Sequence, residues 1–303
     1  MASERRFHSG DHAPALSIEC VPRREASIAA AVRFGTSGIP RSLDDGSTSD
    51  GLRELGRVGL QAMELAFVRQ VNIRASEAPA LRALSEQLDI SLSAHASYYI
   101  NLNSRDKSIV AASRQRILRA ARIGYLCGAD HIVFHAAWRH DDPPAAVYAT
   151  VRGHLGELVE ILREEGVLVT LCPETTGRAV QFGDLDELLA MTQDVPGVQP
   201  CFDFAHLHAR TGQANSVVEF EAIFEDIAET MGSEALAHLH MHVSGIKYGK
   251  GGEISHLSLD ESDFRYRELL LVMKERGVGG TVICESPAND TDALILARAW
   301  SEV

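Results

Sequence analysis

Between residues 31 and 303, short apolar runs alternate eight times with longer amphipathic segments. The runs are VRFG (32–35), AMELAF (62–67), SLSAH (91–95), HIVFH (131–135), LVTLCPE (168–174), VQPCFD (198–203), LAHLHMH (236–242) and GTVICE (280–285). The segments between them predict helices over 50–58, 76–88, 106–126, 145–165, 184–193, 215–231, 262–276 and 290–300. Their apolar residues recur at three- and four-residue spacing, as in Ile109, Ile117, Ala120, Ile123 and Leu126. Gly124 and Gly128 bracket the end of the third helix, Ser262 with Asp263 suits the start of the seventh, and Gly277 with Gly279 and Gly280 ends it. Eight strand-then-helix units, each roughly 30 residues long, predict the α/β class and a single (β/α)8 barrel, the TIM barrel. A doubly wound open sheet is the runner-up, but the chain has no GxGxxG or GxxxxGK[ST] turn to support it.

No linker or low-complexity tract divides residues 31–303, so that span is expected to form one catalytic domain. Residues 1–30 mix charge, Pro and Ser, lack the apolar stretch of a secretory signal, and are expected to be a disordered N-terminal extension. No apolar run approaches the roughly 20 residues of a membrane helix, so no membrane partner is expected. The five cysteines (Cys20, Cys127, Cys172, Cys201, Cys284) are odd in number and form no CxxC pair. That points to buried thiols in a reducing cytoplasm rather than to disulfide staples. A net charge of −13 argues against a broad electropositive surface. It leaves nucleic acid open as a substrate, because bound divalent cations can make a local cleft positive. A monomer is the expectation for the assembly.

Six consecutive runs end on residues that bind zinc or manganese: His95, His135, Glu174, Asp203, His242 and Glu285. Barrel enzymes build their sites at that end of the strands. Taken singly, each has a plainer explanation, a satisfied polar residue or a cap for the following helix. Together they would converge three carboxylates and three imidazoles on one mouth, which a divalent metal neutralises most simply. Alternation puts Cys172, Cys201, His240 and Ile283 one step beneath them. His240 shares a face with His242, so a register slip would exchange them as ligand. His206, three residues after Asp203, turns toward a neighbouring site. Glu253 and His256 stand in a Gly-rich loop after the seventh run, where they could supply a third ion.

The stretches FGTSGIP, AHASYYINLNS, VFHAAW, PETTGRAVQFG, DFAHLHA, HMHVSG, ISHLSL and ICESP stand in order across residues 34–287. In these the chain resembles the endonuclease IV family of apurinic/apyrimidinic endonucleases, within the wider xylose-isomerase-like barrel superfamily. The resemblance implies two or three zinc ions. His95 and His135 would hold the first, bridged by Glu174 to a second held also by Asp203, His242 and Glu285. His206 and His256 would hold the third with a loop carboxylate. In the family that carboxylate is an Asp two residues before the His, where this chain has Ile254; Glu253 is the nearest substitute. The family's His-Pro at the fourth strand is here His135-Ala136. The implied activity is hydrolysis of the phosphodiester 5′ to an abasic site in duplex DNA, with Glu174 as the catalytic carboxylate. Tyr98 and Tyr99 would contact the substrate by entering the DNA stack.

A rival comes from sugar isomerases and epimerases of the same superfamily. These use the quartet Glu174, Asp203, His242 and Glu285 to hold one manganese, with the two glutamates trading protons at a sugar carbon. The extra His95, His135, His206 and His256 favour the nuclease. Lys247, Lys250, Arg105 and Lys107 are the mouth-loop cations that could meet phosphate.

Overall fold

A computed structural model describes residues 31–43 and 45–303. The expected extension, 1–30, lies outside the described residues. The elements run β1 (Val32–Ser37), α1 (Thr48–Val58), β2 (Ala62–Ala66), α2 (Ala78–Leu88), β3 (Ser91–His95), α3 (Lys107–Cys127), β4 (Ala129–Phe134) and α4 (Pro144–Glu164). They continue with β5 (Thr170–Pro173), α5 (Leu185–Asp194), β6 (Cys201–Asp203), α6 (Phe204–Thr211), α7 (Val217–Met231), β7 (Leu239–Val243), β8 (Gly245–Gly249), β9 (Gly252–Leu257), α8 (Tyr266–Glu275), β10 (Gly280–Cys284) and α9 (Asn289–Glu302).

Eight strands pair in parallel in the order β5-β4-β3-β2-β1-β10-β7-β6. The two ends of that sheet meet at β5 and β6, joined by isolated parallel bridges Leu171–Val198 and Glu174–Cys201. Gln199 N donates to Leu171 O (3.1 Å) and Thr175 N to Cys201 O (3.0 Å) across this seam. The barrel is therefore nearly closed, with helices around it, as the eightfold alternation predicts.

Local chemistry sets the element ends. Ser47 and Asp50 form a capping box on α1, and Asp184 and Glu187 form one on α5. Asp106 caps α3, which ends at Gly128 in the left-handed conformation. On α3 the buried face carries Ile117, Ala120, Ala121, Gly124 and Cys127. A Cβ on Gly124 would stand 2.8 Å from Ile132 Cδ1, so α3 packs closely on β4 there.

Three details depart from the sequence expectations. The Gly-rich stretch after β7 is not a loop but an antiparallel hairpin, β8–β9, with Gly249 paired to Gly252 across the turn. A short helix, α6, follows β6 directly. Helix α8 begins at Tyr266 rather than near Ser262, whose hydroxyl instead accepts from Ile246 N (3.0 Å) and steadies β8.

The close β1–β2 contact makes a stability test. A Cβ on Gly35 would overlap the Ala62 carbonyl, so Gly35→Ala should destabilise by about 2 kcal/mol or more. Gly153 lies within α4 with nothing within 4 Å of its missing Cβ, so Gly153→Ala should stabilise by about 0.5–1 kcal/mol. Urea unfolding midpoints check both, and an unchanged midpoint for Gly35→Ala would contradict this register.

Candidate metal centre

The strand ends bring the sequence-predicted residues together. His95 ends β3 and Asp203 ends β6; His135, Glu174 and Glu285 directly follow β4, β5 and β10; His242 is the penultimate residue of β7. Lateral pairing sets Asp203 beside His242, and Ile283 on the other side of His242, so these ends stand level. Cys172, Cys201, His240 and Ile283 are all buried beneath them, as alternation predicts.

Glu174 is the hub. One of its oxygens lies 3.2 Å from His95 Nε2 and 2.9 Å from His135 Nε2. The other lies 3.2 Å from His242 Nδ1 and 3.3 Å from His206 Nδ1. Three compact donor groups stand at the strand ends: His95, His135 and Glu174; Glu174, Asp203, His242 and Glu285; Asp203, His206 and His256; a fourth, Cys201, His240 and His242, reaches into the layer beneath. In each, all donor atoms lie within 4.8 Å of one another. Glu174 belongs to the first and second groups and Asp203 to the second and third.

The geometry tests whether these groups suit a cation. His95 Nδ1 faces the Ala96 carbonyl (2.8 Å), His206 Nδ1 the Thr175 carbonyl (3.0 Å) and His256 Nδ1 the Glu285 carbonyl (3.0 Å). A carbonyl can only accept, so each Nδ1 carries the proton and each neutral ring presents an Nε2 lone pair. Those lone pairs face further acceptors: His206 Nε2 and His256 Nε2 are 3.2 Å apart, and His95 Nε2 faces Glu174. Acceptors facing acceptors need a proton or a metal between them. Asp203 Oδ1 accepts from His206 N at the start of α6 (2.6 Å), while its buried Oδ2 makes no hydrogen bond. The donor set of imidazole nitrogens and carboxylate oxygens suits zinc throughout, and its carboxylate-rich middle group also suits manganese.

Electrostatics agree. Burial works to raise the Glu174 carboxyl, but the His135 and His242 imidazoles outweigh it and hold the group well below the usual carboxylate range. Burial raises Asp203 against the pull of His206, with Glu174 adding to the rise. Glu285 is held at about 2, burial being overcome by His242. Burial opposes charge on His95 too, yet the Glu174 contact lifts it to about 9. Protons on imidazoles and divalent cations are alternative counter-charges for these carboxylates.

The third group shares Asp203 with the middle one. Glu253, the loop carboxylate expected there, sets Oε2 3.5 Å from His206 Nε2, and Asp203 Oδ2 lies 3.5 Å from His206 Nδ1. Ile254, in the position where an Asp was sought, is an exposed residue of β9. Between His240 and His242 the register is settled: His242 Nδ1 faces Glu174 and Glu285, while His240 Nε2 meets Glu64 Oε2 (3.0 Å).

Glu64 itself escaped the sequence reading. It is fully buried on β2, accepts from Ser93 Oγ (2.8 Å), and sets Oε1 3.1 Å from His242 Nε2. Burial alone would raise its carboxyl; His242 and His240 keep it well below the usual range. The signal was present as the one charge in the apolar run AMELAF.

Above the donor groups lies a cleft of about 370 Å³, lined among others by His95, Tyr98, His135, Trp138, Arg178 and His256. Tyr98 is 59% exposed and sets its ring edge-on to His95, with centroids 5.4 Å apart. Tyr99, 63% exposed, turns instead toward Arg116. Lys247, Lys250, Arg105 and Lys107 do not line the cleft; the arginine that does is Arg178.

The sequence pattern of the xylose isomerase-like TIM barrel matches residues 52–302. The chain belongs to that family. An uncharacterized protein of Methanocaldococcus jannaschii is 39% identical over 272 residues, which is 89% of this chain and 97% of the relative. The crystal structure of endonuclease IV from Thermus thermophilus superposes with a TM-score of 0.66 at 22% identity, over 89% of this chain and 99% of that one. A D-tagatose 3-epimerase-like protein gives 0.67 at 18% identity, over 89% and 96%. A 3-keto-D-glucoside 4-epimerase from E. coli gives 0.63 at 15% identity, over 89% and 99%. At these identities the superpositions speak for the fold alone.

Sharing of carboxylates predicts unequal metal losses. By elemental analysis, His95→Ala should lose one ion per chain, whereas Asp203→Asn, which keeps an acceptor for the α6 cap, should lose two. Equal losses would break the linked-group arrangement. Glu64→Gln should weaken metal binding by about 10- to 100-fold, read by competition with a chromogenic chelator; unchanged affinity would remove Glu64 from the centre.

Proposed function

We propose that the protein is a metal-dependent hydrolase that cuts DNA at the phosphodiester 5′ to an abasic site. The observation that carries this reading is the pair of histidine-rich groups flanking the middle quartet, joined to it through Glu174 and Asp203. A one-metal sugar epimerase needs only the quartet. It has no use for His95, His135, His206 and His256 with lone pairs aimed into the same mouth. Three linked cation positions suit a phosphodiester, where the attacking water, the non-bridging oxygens and the leaving oxygen each need a positive neighbour.

Zinc bound here would bring the pKa of a coordinated water toward neutrality and offset the phosphate charge. The chain's own residues do the rest. Glu174 joins the first two donor groups and offers each a buried, ionised oxygen. Glu64 and the carbonyls of Ala96, Thr175 and Glu285 lock four imidazoles in orientation. Tyr98, at the cleft edge, and the exposed Tyr99 supply aromatic surface for a gap in a base stack, which an abasic site already has. The chain's net charge of −13 is no obstacle, because the field at the scissile phosphate would be set locally by the loaded centre.

The alternative is sugar epimerisation with one manganese, Glu174 and Glu285 trading the proton. The cleft of about 370 Å³ is large enough for a monosaccharide and gives that reading its support.

Purified protein, loaded with zinc, should nick a duplex carrying a single abasic site and leave the intact duplex untouched. Glu174→Ala should abolish the cut. Protein that binds one manganese, leaves the abasic duplex whole and interconverts ketohexose epimers would overturn the nuclease in favour of the epimerase.

A further inference from the structure

The loop between β5 and α5 is held as firmly as a strand. Thr176 N donates to Gly183 O (2.8 Å), Gln181 N to Arg178 O (3.0 Å), Phe182 N to Ala137 O (3.0 Å) and Arg139 N to Val180 O (2.9 Å). Two arginines are spent on docking it. Arg210 donates to the carbonyls of Thr176 (3.2 Å) and Arg178 (2.6 Å), and Arg139 pairs with Asp184 (3.2 Å) and Glu187 (2.6 Å).

A third arginine on this loop is not spent. Arg178 lines the cleft, and its Nε donates to the Glu253 carbonyl (2.9 Å), which fixes the plane of the guanidinium. Its two terminal nitrogens have no hydrogen-bond or carboxylate partner among the described residues. Beside it Gln181 lines the same cleft, 7% exposed, with a buried Oε1 that also lacks a partner. Trp138, bridged backbone-to-backbone with Gln181, adds an indole to that wall.

Each feature specifies one part of a ligand. A planar guanidinium held at Nε, with both terminal nitrogens free, fits two oxygens of a phosphate. An amide side chain on the cleft wall can exchange hydrogen bonds with a hydroxyl. An aromatic wall suits the apolar face of a sugar ring. We propose that Arg178, Gln181 and Trp138 form a subsite for a phosphorylated sugar, Arg178 taking the phosphate and Gln181 a ring hydroxyl, in the same cleft as the metal-ligating groups and beside Glu253 and His206. This rests on the proposed function in so far as the sugar phosphate is the abasic nucleotide of DNA. A free sugar phosphate would present the same chemistry.

Calorimetric titration of metal-loaded protein with inorganic phosphate and with 2-deoxyribose 5-phosphate tests the subsite, alongside steady-state cleavage of the abasic duplex. Arg178→Ala should weaken both small ligands by about tenfold or more, and Arg178→Lys should recover part of the loss. Gln181→Leu should weaken the sugar phosphate but not inorganic phosphate. Affinities are compared at matched metal content, because Arg178 Nε also holds Glu253 on the strand that carries His256. For cleavage, Arg178→Ala should raise KM with little change in kcat. Wild-type affinity of Arg178→Ala for both small ligands would overturn the subsite, because the phosphate would then be held by the metals alone; cleavage of the abasic duplex could persist regardless. Arg178-dependent binding of 2-deoxyribose 5-phosphate by a protein that never cuts the duplex would uphold the subsite, assign it to a free sugar phosphate and remove the nuclease reading.

Discussion

Packing three carboxylates and five imidazoles into the mouth of a barrel creates a charge problem that every nearby feature answers. An isolated buried carboxylate costs several kcal/mol, so Glu174, Asp203 and Glu285 persist only with counter-charge in reach. The imidazoles supply it when protonated, yet three of them are pinned by backbone carbonyls into the tautomer that offers a lone pair instead. The backbone thus fixes each ring while leaving its Nε2 to take either a proton or a metal as the counter-charge. The second layer follows the same logic: Glu64 sits at the bottom of the cluster with His240 and His242 at its two oxygens, a buried acid that exists to orient rings.

What could be read from the chain divides along physical lines. Strands and candidate donor residues were legible because period and position coincide: a parallel strand buried on both faces is a continuous apolar run, and the residue at its C-terminal end faces the mouth. The hairpin β8–β9 was not, because Gly245, Gly249, Gly251 and Gly252 imitate a loop. Two of those glycines are there for close approach: a Cβ at Gly252 would overlap the Gly177 carbonyl, and one at Gly245 the Ser258 carbonyl. The double duty of Asp203 was hidden for another reason. As the cap of α6 it looks ordinary in sequence, and only the geometry shows that the cap uses one oxygen and leaves the other for the centre. Arg178 was passed over for more exposed cations, since no local pattern tells a paired arginine from a free one. That depends on Asp184, Glu187 and Glu253, which lie elsewhere in the chain.

The loop that carries Arg178 also ties the hairpin to the barrel. Glu253 N donates to Gly177 O (2.9 Å), its carbonyl takes Arg178 Nε, and its carboxylate turns to His206. One residue of β9 therefore touches the loop after β5 and a ligand on α6. His256, two pairs further along the same strand, is delivered to the third donor group by that docking. Conformational freedom in the hairpin would be felt first at the third group and last at the first one, where His95 and His135 stand on the barrel strands.

The seam between β5 and β6 gives the centre a mechanical meaning. Everywhere else the hoop of strands is closed by a full ladder; here two isolated bridges do the work, and β6 is only three residues long. Glu174 stands on one lip of that gap and Asp203 on the other, in one donor group. A cation gripped by both would act as a rivet across the weakest joint of the hoop. The same ion that prepares the chemistry would then keep the barrel round, and stripping it would loosen the wall on which its own ligands are mounted.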